Sequence, residues 1–115
     1  MKRHPDLAHF SREHHTALSL CNCIRREPNA DHTTQIEAVR DAILAHFDAE
    51  ERQFSAYWHK LNQVHLQEQF LQEHQELRQC FRQPENAAVL AEKLTAHVRF
   101  EERVLFPAFE QNGLI

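Results

Sequence analysis

Two copies of one short pattern carry the residues of this chain that could do chemistry. They read HFDAEER, beginning at His46, and HVRFEER, beginning at His97. Each histidine stands four residues before a glutamate, and residues i and i+4 of an α-helix lie on one face, one turn apart. His46 and Glu50 therefore point the same way, and so do His97 and Glu101. Paired imidazoles and carboxylates of this kind are typical of metal sites inside helical bundles.

The rest of the chain predicts the helices that must position these pairs. The 115 residues suit a single domain over 1–115, and one Gly and four Pro leave few places to turn. Apolar residues recur at three- and four-residue steps in four segments. The first helix is predicted from Pro5 to about Arg26, and the second from a cap at Asp31 or Thr33 to Leu61, with a boundary near Asn62. The third runs from Leu66 to Phe81, and the fourth starts near Pro84–Glu85 and stops at Asn112–Gly113. Because short connections make neighbouring helices antiparallel, the fold class predicted is an all-α, up-down-up-down four-helix bundle.

Two further histidines lie on the predicted apolar faces. His14 belongs to the first helix and His74 to the third, and each follows a glutamate, so the chain consists of two helical hairpins of the same plan. Buried imidazoles and carboxylates are costly unless they are paired or bind a metal. We therefore predict two metal ions, one bound by His14 and His46 and the other by His74 and His97, with Glu50 and Glu101 bridging. The donors suit iron, although zinc, manganese or copper are also compatible.

Neighbouring residues leave alternatives open. His15 could replace His14 as a ligand, and Glu102 could replace Glu101. Otherwise Glu51 and Glu102 are predicted to bond to ring N–H groups or to form salt bridges, with Arg52 and Arg103 as candidate partners. The remaining histidines are predicted to be solvated, and a fifth histidine ligand would require the N-terminus to fold back over the bundle. They are His4, His9, His32, His59 and His65.

Composition excludes several classes of function. The net charge is −4 and the charges are mixed along the chain, so a basic surface for nucleic acid is not expected. No apolar run approaches the ~20 residues of a membrane span, and the N-terminus is too polar for a signal peptide. Three cysteines without a C-x-x-C pair predict free thiols in a cytoplasmic protein.

These motifs resemble the hemerythrin-like, cation-binding (HHE) family of four-helix bundles. The matching segments are Glu13-His14-His15, His46-x3-Glu50-Glu51, Glu73-His74 and His97-x3-Glu101-Glu102 followed by LFP. The resemblance implies a non-haem, carboxylate-bridged di-iron centre with a small diatomic or peroxide ligand at the metal. In the family such a centre binds dioxygen, senses oxygen or redox state, or handles iron and nitric oxide, and binding or sensing is expected here rather than catalysis.

The chain departs from the oxygen carriers of that family in the third helix. They have a second histidine four residues from the first, whereas the positions four away from His74 are Phe70 and Arg78. The missing ligand favours sensing, redox or iron-handling roles, and it predicts an open position on the His74–His97 metal. The rival interpretations are a metal-free helical interaction module and a bundle with a single metal such as zinc. An exposed part of the aromatic cluster around Trp58 could serve a homodimer.

Overall fold

The computed structural model describes residues 3–113, and within that range the chain is helical, with no β-strand. The helices are α1 Pro5–Arg26, α2 Thr33–Phe54, α3 Trp58–Leu61, α4 Val64–Phe81, α5 Ala87–Phe100 and α6 Phe106–Gln111. A 3₁₀ turn, Pro84–Asn86, precedes α5, and a π-helical turn, Glu101–Leu105, joins α5 to α6. The prediction of an all-helical protein is therefore confirmed.

Helix ends marked by proline or glycine lie where the sequence predicts them. Pro5 opens α1, where its missing N–H would be unpaired in any case. The His4 ring accepts a hydrogen bond from the Asp6 N–H at 3.0 Å and so caps this helix. At the other end of the chain α6 stops at Gln111, and Gly113 adopts a left-handed φ of +63°.

The second helix is shorter than predicted, since it ends at Phe54 instead of Leu61. The Tyr57 N–H bonds to the Phe54 carbonyl at 2.8 Å, a three-residue closure that tightens the chain and ends the α-helix. The short α3 then stops at Asn62, whose φ of 55° is left-handed, a conformation that asparagine tolerates better than most residues. Asn62 was thus the turn signal, although no glycine or proline accompanies it.

The last predicted helix is interrupted by the π-helical turn. The Phe106 N–H bonds to the Glu101 carbonyl, five residues back, so this turn holds one extra residue. The insertion buries both Leu105 and Phe106, whereas Val104 is 45% exposed. A proline ring clashes with the carbonyl four residues before it in a regular helix, so Pro107 favours a departure from α-helical geometry in the turn that precedes it.

Two apolar clusters fill the core, one at each end of the long helices. α1 packs against α2 and α5, and α4 packs against the same two helices. One cluster is mainly aliphatic and includes Ile24, Ile36 and Leu90, and the other is mainly aromatic and includes Phe54 and Phe109. Along each long helix the predicted metal ligands stand between these clusters. No helix in the part of the chain that the structure describes is long and apolar enough to cross a membrane.

Candidate metal centre

All six predicted ligands meet at the centre of the molecule, and we call them the central cluster. They are His14 from α1, His46 and Glu50 from α2, His74 from α4, His97 from α5 and Glu101 from the π-helical turn. None is more than 8% exposed. Their ligating atoms form two groups, each spanning no more than 4.8 Å, and each group contains one pair of histidines and both glutamates. The pairs are His14 with His46 and His74 with His97.

Each buried carboxylate turns one oxygen toward each histidine pair. Glu101 Oε1 lies 2.8 Å from His14 Nε2, and Glu101 Oε2 lies 3.2 Å from His97 Nε2. Glu50 Oε2 lies 3.1 Å from His46 Nε2, and Glu50 Oε1 lies 3.3 Å from His74 Nε2. This orientation is what a carboxylate needs in order to bridge two cations.

The outer nitrogen of each ring is held by a carboxylate from a neighbouring helix. The Nδ1–oxygen distances are 2.6 Å for His14 with Glu102, 2.8 Å for His46 with Glu13, 2.6 Å for His74 with Glu51 and 2.7 Å for His97 with Glu73. A carboxylate on Nδ1 favours the proton there and leaves the Nε2 lone pair pointing inward, the arrangement usual for metal-binding histidines.

The roles predicted for Glu51 and Glu102 are thus confirmed, and Glu13 and Glu73 were missed. All four stand next to a member of the central cluster in the sequence. Adjacent residues of an α-helix are rotated by ~100° about its axis, so a residue beside an inward ligand faces a neighbouring helix. Applied to the Glu-His repeat, this geometry would have indicated that Glu13 and Glu73 reach the histidines of neighbouring helices.

Several atoms of the central cluster have no hydrogen-bond partner among the residues that the structure describes. They are His46 Nε2, both Glu50 oxygens and Glu101 Oε2, all of them shielded from solvent. Buried polar atoms are nearly always hydrogen-bonded, so four unpartnered acceptors facing one small volume require an explanation. A cation that accepts their lone pairs supplies one.

Protons compete with metal ions for the carboxylates and rings of the central cluster. Burial raises the pKa of Glu50 well above its ordinary value, and the charge of Glu101 adds to the effect. Burial opposes ionisation of Glu101, but the charge of His97 and the hydrogen bond with His14 hold its pKa well below the usual range. Burial likewise lowers the pKa of His97, yet Glu101 and Glu73 outweigh it and raise the value to about 9. Bound metal would take the place of these protons.

Arginines from distant parts of the chain hold two of the outer carboxylates. Arg3 Nη2 lies 3.1 Å from Glu102 Oε1, and Arg78 Nη1 lies 2.8 Å from Glu51 Oε2. The predicted partners, Arg52 and Arg103, are wrong: both follow their glutamates by one position and point into solvent. Arg3 is 99 residues away from Glu102, and no local pattern could have indicated it.

The other histidines lie outside the central cluster. His15 is exposed and His14 is buried, so His14 is the member of this pair that faces the cluster. His4 caps α1 and His9 packs on Phe10, with ring centroids 3.9 Å apart, so neither supplies a fifth histidine. His32 was predicted to be solvated, which is wrong: it is 4% exposed because its ring nitrogen lies 2.7 Å from the Glu27 carbonyl in the α1–α2 connection.

A cavity of about 140 Å³ adjoins the His14–His46 side of the central cluster. His14, His46 and His97 line it, together with Phe47 and Leu94, and His74 does not. The open position was predicted on the opposite metal, beside His74. Phe47 and Phe70 instead lie against the His74 ring, with centroids 4.3 and 4.2 Å away. The aromatic side chains fill the space that a missing third-helix ligand would leave.

Comparison with known proteins corrects the family prediction. A family model described as tryptophan halogenase matches residues 17–108. Searches of curated proteins and of solved structures gave no match. The resemblance to hemerythrin-like proteins is therefore wrong as a statement of family, and the oxygen-binding, sensing and iron-handling roles inferred from it are withdrawn. Repeated metal donors at helical spacing indicate the chemistry of a site, and the same chemistry recurs in unrelated families. Because the match covers well over half of the sequence, the chain belongs to the tryptophan halogenase family.

Proposed function

We propose that this protein binds two metal ions between its long helices. The observation that carries the proposal is the orientation of Glu50 and Glu101, each of which directs one oxygen to each histidine pair. The closed ring of contacts from α1 through α2, α4 and α5 back to α1 supports an up-down-up-down bundle around the ions.

Each ion would have two imidazole nitrogens and two carboxylate oxygens as ligands. His14 and His46 hold the first, His74 and His97 hold the second, and Glu50 and Glu101 are shared. Four mixed nitrogen and oxygen donors are sufficient for zinc, whereas iron and manganese usually take more ligands and would retain water or another small ligand. Two iron ions are our first choice, with zinc or manganese as alternatives. A bound ion would supply Lewis acidity next to the 140 Å³ cavity.

Metal content tests the proposal directly. Purified protein, desalted after incubation with ferrous iron, zinc or manganese, is expected to hold about two ions per chain by elemental analysis. The double variant Glu50→Gln, Glu101→Gln is expected to hold fewer than one, because both bridges are lost. Glu37→Gln, an exposed position on α2, is the matched control and should keep both ions. A wild-type chain that retains none of these metals would contradict the proposal.

The family description provides a second candidate, halogenation of tryptophan. Replacing an aromatic C–H by C–Cl with chloride is a two-electron oxidation and needs an oxidant; with peroxide, the aromatic compound, chloride, peroxide and one proton give the chloro-compound and two waters. The 140 Å³ cavity beside the central cluster is smaller than the ~300 Å³ at which organic-ligand pockets begin, so tryptophan would have to bind outside it. Mass spectrometry of tryptophan incubated with metal-loaded protein, chloride and peroxide tests this candidate, with metal and peroxide alone as the control.

A further inference from the structure

We infer that metal ions reach the central cluster through the cleft between α1 and α2, and that the Glu13 carboxylate carries them past His46. The inference rests on the proposed function, because it concerns how that same site is loaded. Three features carry it: the shape of the cavity, the closure of the other faces, and the distinct position of Glu13 among the four outer carboxylates.

The cavity connects the surface of the protein to the ligands. Its inner wall includes the buried rings of His14, His46 and His97 beside apolar side chains, and its outer wall includes the exposed residues Glu13, Thr16 and Ala42. A volume of about 140 Å³ accommodates several water molecules, each of which occupies ~30 Å³ in the liquid. An ion that sheds part of its hydration shell can therefore pass while water still solvates it.

Aromatic rings cover other sides of the central cluster and block the passage of ions there. Phe47 and Phe70 both lie against the His74 ring, and Phe106 stacks on His14 with centroids 5.9 Å apart. His74 is fully buried, whereas His46, at 8%, is the most exposed member of the central cluster. A bare or partly hydrated cation is strongly disfavoured in a closed apolar layer, so the side of the cluster that has room for water and the Glu13 carboxylate is the favourable path.

Glu13 is the least restrained of the outer carboxylates. Its side chain is 54% exposed, whereas those of Glu51, Glu73 and Glu102 are 22–29% exposed. Those three have an additional partner, namely Arg78, Gln69 and Arg3 respectively. Within residues 3–113, Glu13 makes one hydrogen-bond contact, 2.8 Å to His46 Nδ1. It can therefore leave His46, meet a cation at the cavity mouth and return with it.

Charge removal at two equivalent positions tests the role of Glu13. Glu13→Gln and Glu73→Gln each remove one negative charge, and each keeps an acceptor for the Nδ1 atom of its own histidine, His46 or His97. Of the two, only Glu13 lines the cavity. Cobalt(II) uptake is followed by its visible absorption in a stopped-flow instrument. We expect Glu13→Gln to slow uptake by about tenfold, since a charged cleft raises association rates by ~10-fold or more. Glu73→Gln also weakens the support of a ligand ring but leaves the charge of the cleft in place, so we expect it to slow uptake several-fold less than Glu13→Gln does. Equal slowing of both variants, or of neither, would overturn the role of Glu13.

A steric block tests the cleft itself. Ala42→Trp places an indole at the cavity mouth, and Ala45→Trp places the same group on an exposed position of the same helix that does not line the cavity. We expect Ala42→Trp to slow cobalt uptake and chelator-driven release together, leaving the final stoichiometry unchanged, while Ala45→Trp matches the wild type. Identical rates in the two tryptophan variants would overturn the route alone. A wild-type chain that takes up no metal would overturn the proposed function with it.

Discussion

Replacing Glu50 by glutamine should stabilise the protein in the absence of metal and destabilise it in the presence of metal. Glu50 is fully buried, and within residues 3–113 neither of its carboxylate oxygens has a hydrogen-bond partner. Its raised pKa means that the folded state binds this proton more tightly than the unfolded state does. The metal-free protein therefore loses stability as the pH rises from the ordinary value of glutamic acid toward the folded-state pKa. Glutamine has no ionised form and avoids that loss.

The size of the effect follows from the same contacts. The glutamine amide has an N–H that can donate to His46 Nε2, an acceptor without a partner among the described residues that lies 3.1 Å from Glu50 Oε2. Satisfying a buried acceptor is worth about 1–3 kcal/mol, and we take this range as the gain in unfolding free energy for metal-free Glu50→Gln. At roughly 4 °C per kcal/mol for a domain of this size, the thermal midpoint should rise by about 4–12 °C. Metal reverses the order, because a ligand at a hundred times its dissociation constant stabilises the wild type by about 2.7 kcal/mol. An amide bridges two cations poorly, so bound metal should stabilise Glu50→Gln by less than it stabilises the wild type.

Thermal unfolding with and without metal measures both differences. Each protein is scanned at pH 7 after chelation and gel filtration, and again with saturating metal. Glu37→Gln, which removes an exposed charge from the same helix, should follow the wild type in both conditions. If chelated Glu50→Gln melts below the chelated wild type, the carboxylate stabilises the metal-free fold and our interpretation of the unpartnered oxygens is refuted.

Three further predictions concern the ligands and their supports. His14→Ala should abolish binding of at least one metal ion, whereas His15→Ala, at an exposed position, should keep the wild-type stoichiometry by elemental analysis. Arg3→Met should loosen Glu102, which keeps the hydrogen bond from Ser11, and should therefore weaken metal binding by about tenfold in a chelator competition. An unchanged affinity would show that Arg3 does not orient the His14 ring. Because the pKa of His97 is about 9 without metal, this ring is protonated at pH 7 and must lose its proton to bind. Metal affinity should therefore rise with pH up to about 9, and calorimetry in buffers of different ionisation enthalpy should detect proton release at pH 7.

The sequence by itself determined the features that depend on local spacing. Helical periodicity placed His46 with Glu50 and His97 with Glu101 on inward faces, because positions four apart on one helix share a face whatever packs against it. The same reasoning selected His14 over His15 as the inward ring. Proline and glycine predicted the start of α1 and the end of α6, because these residues restrict or release the backbone within one turn.

Only the tertiary structure decided the features that depend on distant partners. The Arg3–Glu102 pair joins residues 99 positions apart, and the bonds from Glu13 to His46 and from Glu73 to His97 cross between helices. The π-helical turn that begins at Glu101 likewise escaped prediction, because sequence periodicity assumes a regular helix. An inserted residue is kept only if the surrounding packing accommodates it. Spacing along one helix is fixed by its own hydrogen bonds, but contacts between helices depend on how the whole core closes. For that reason the central cluster could be predicted from the sequence, and the carboxylate–arginine shell around it could not.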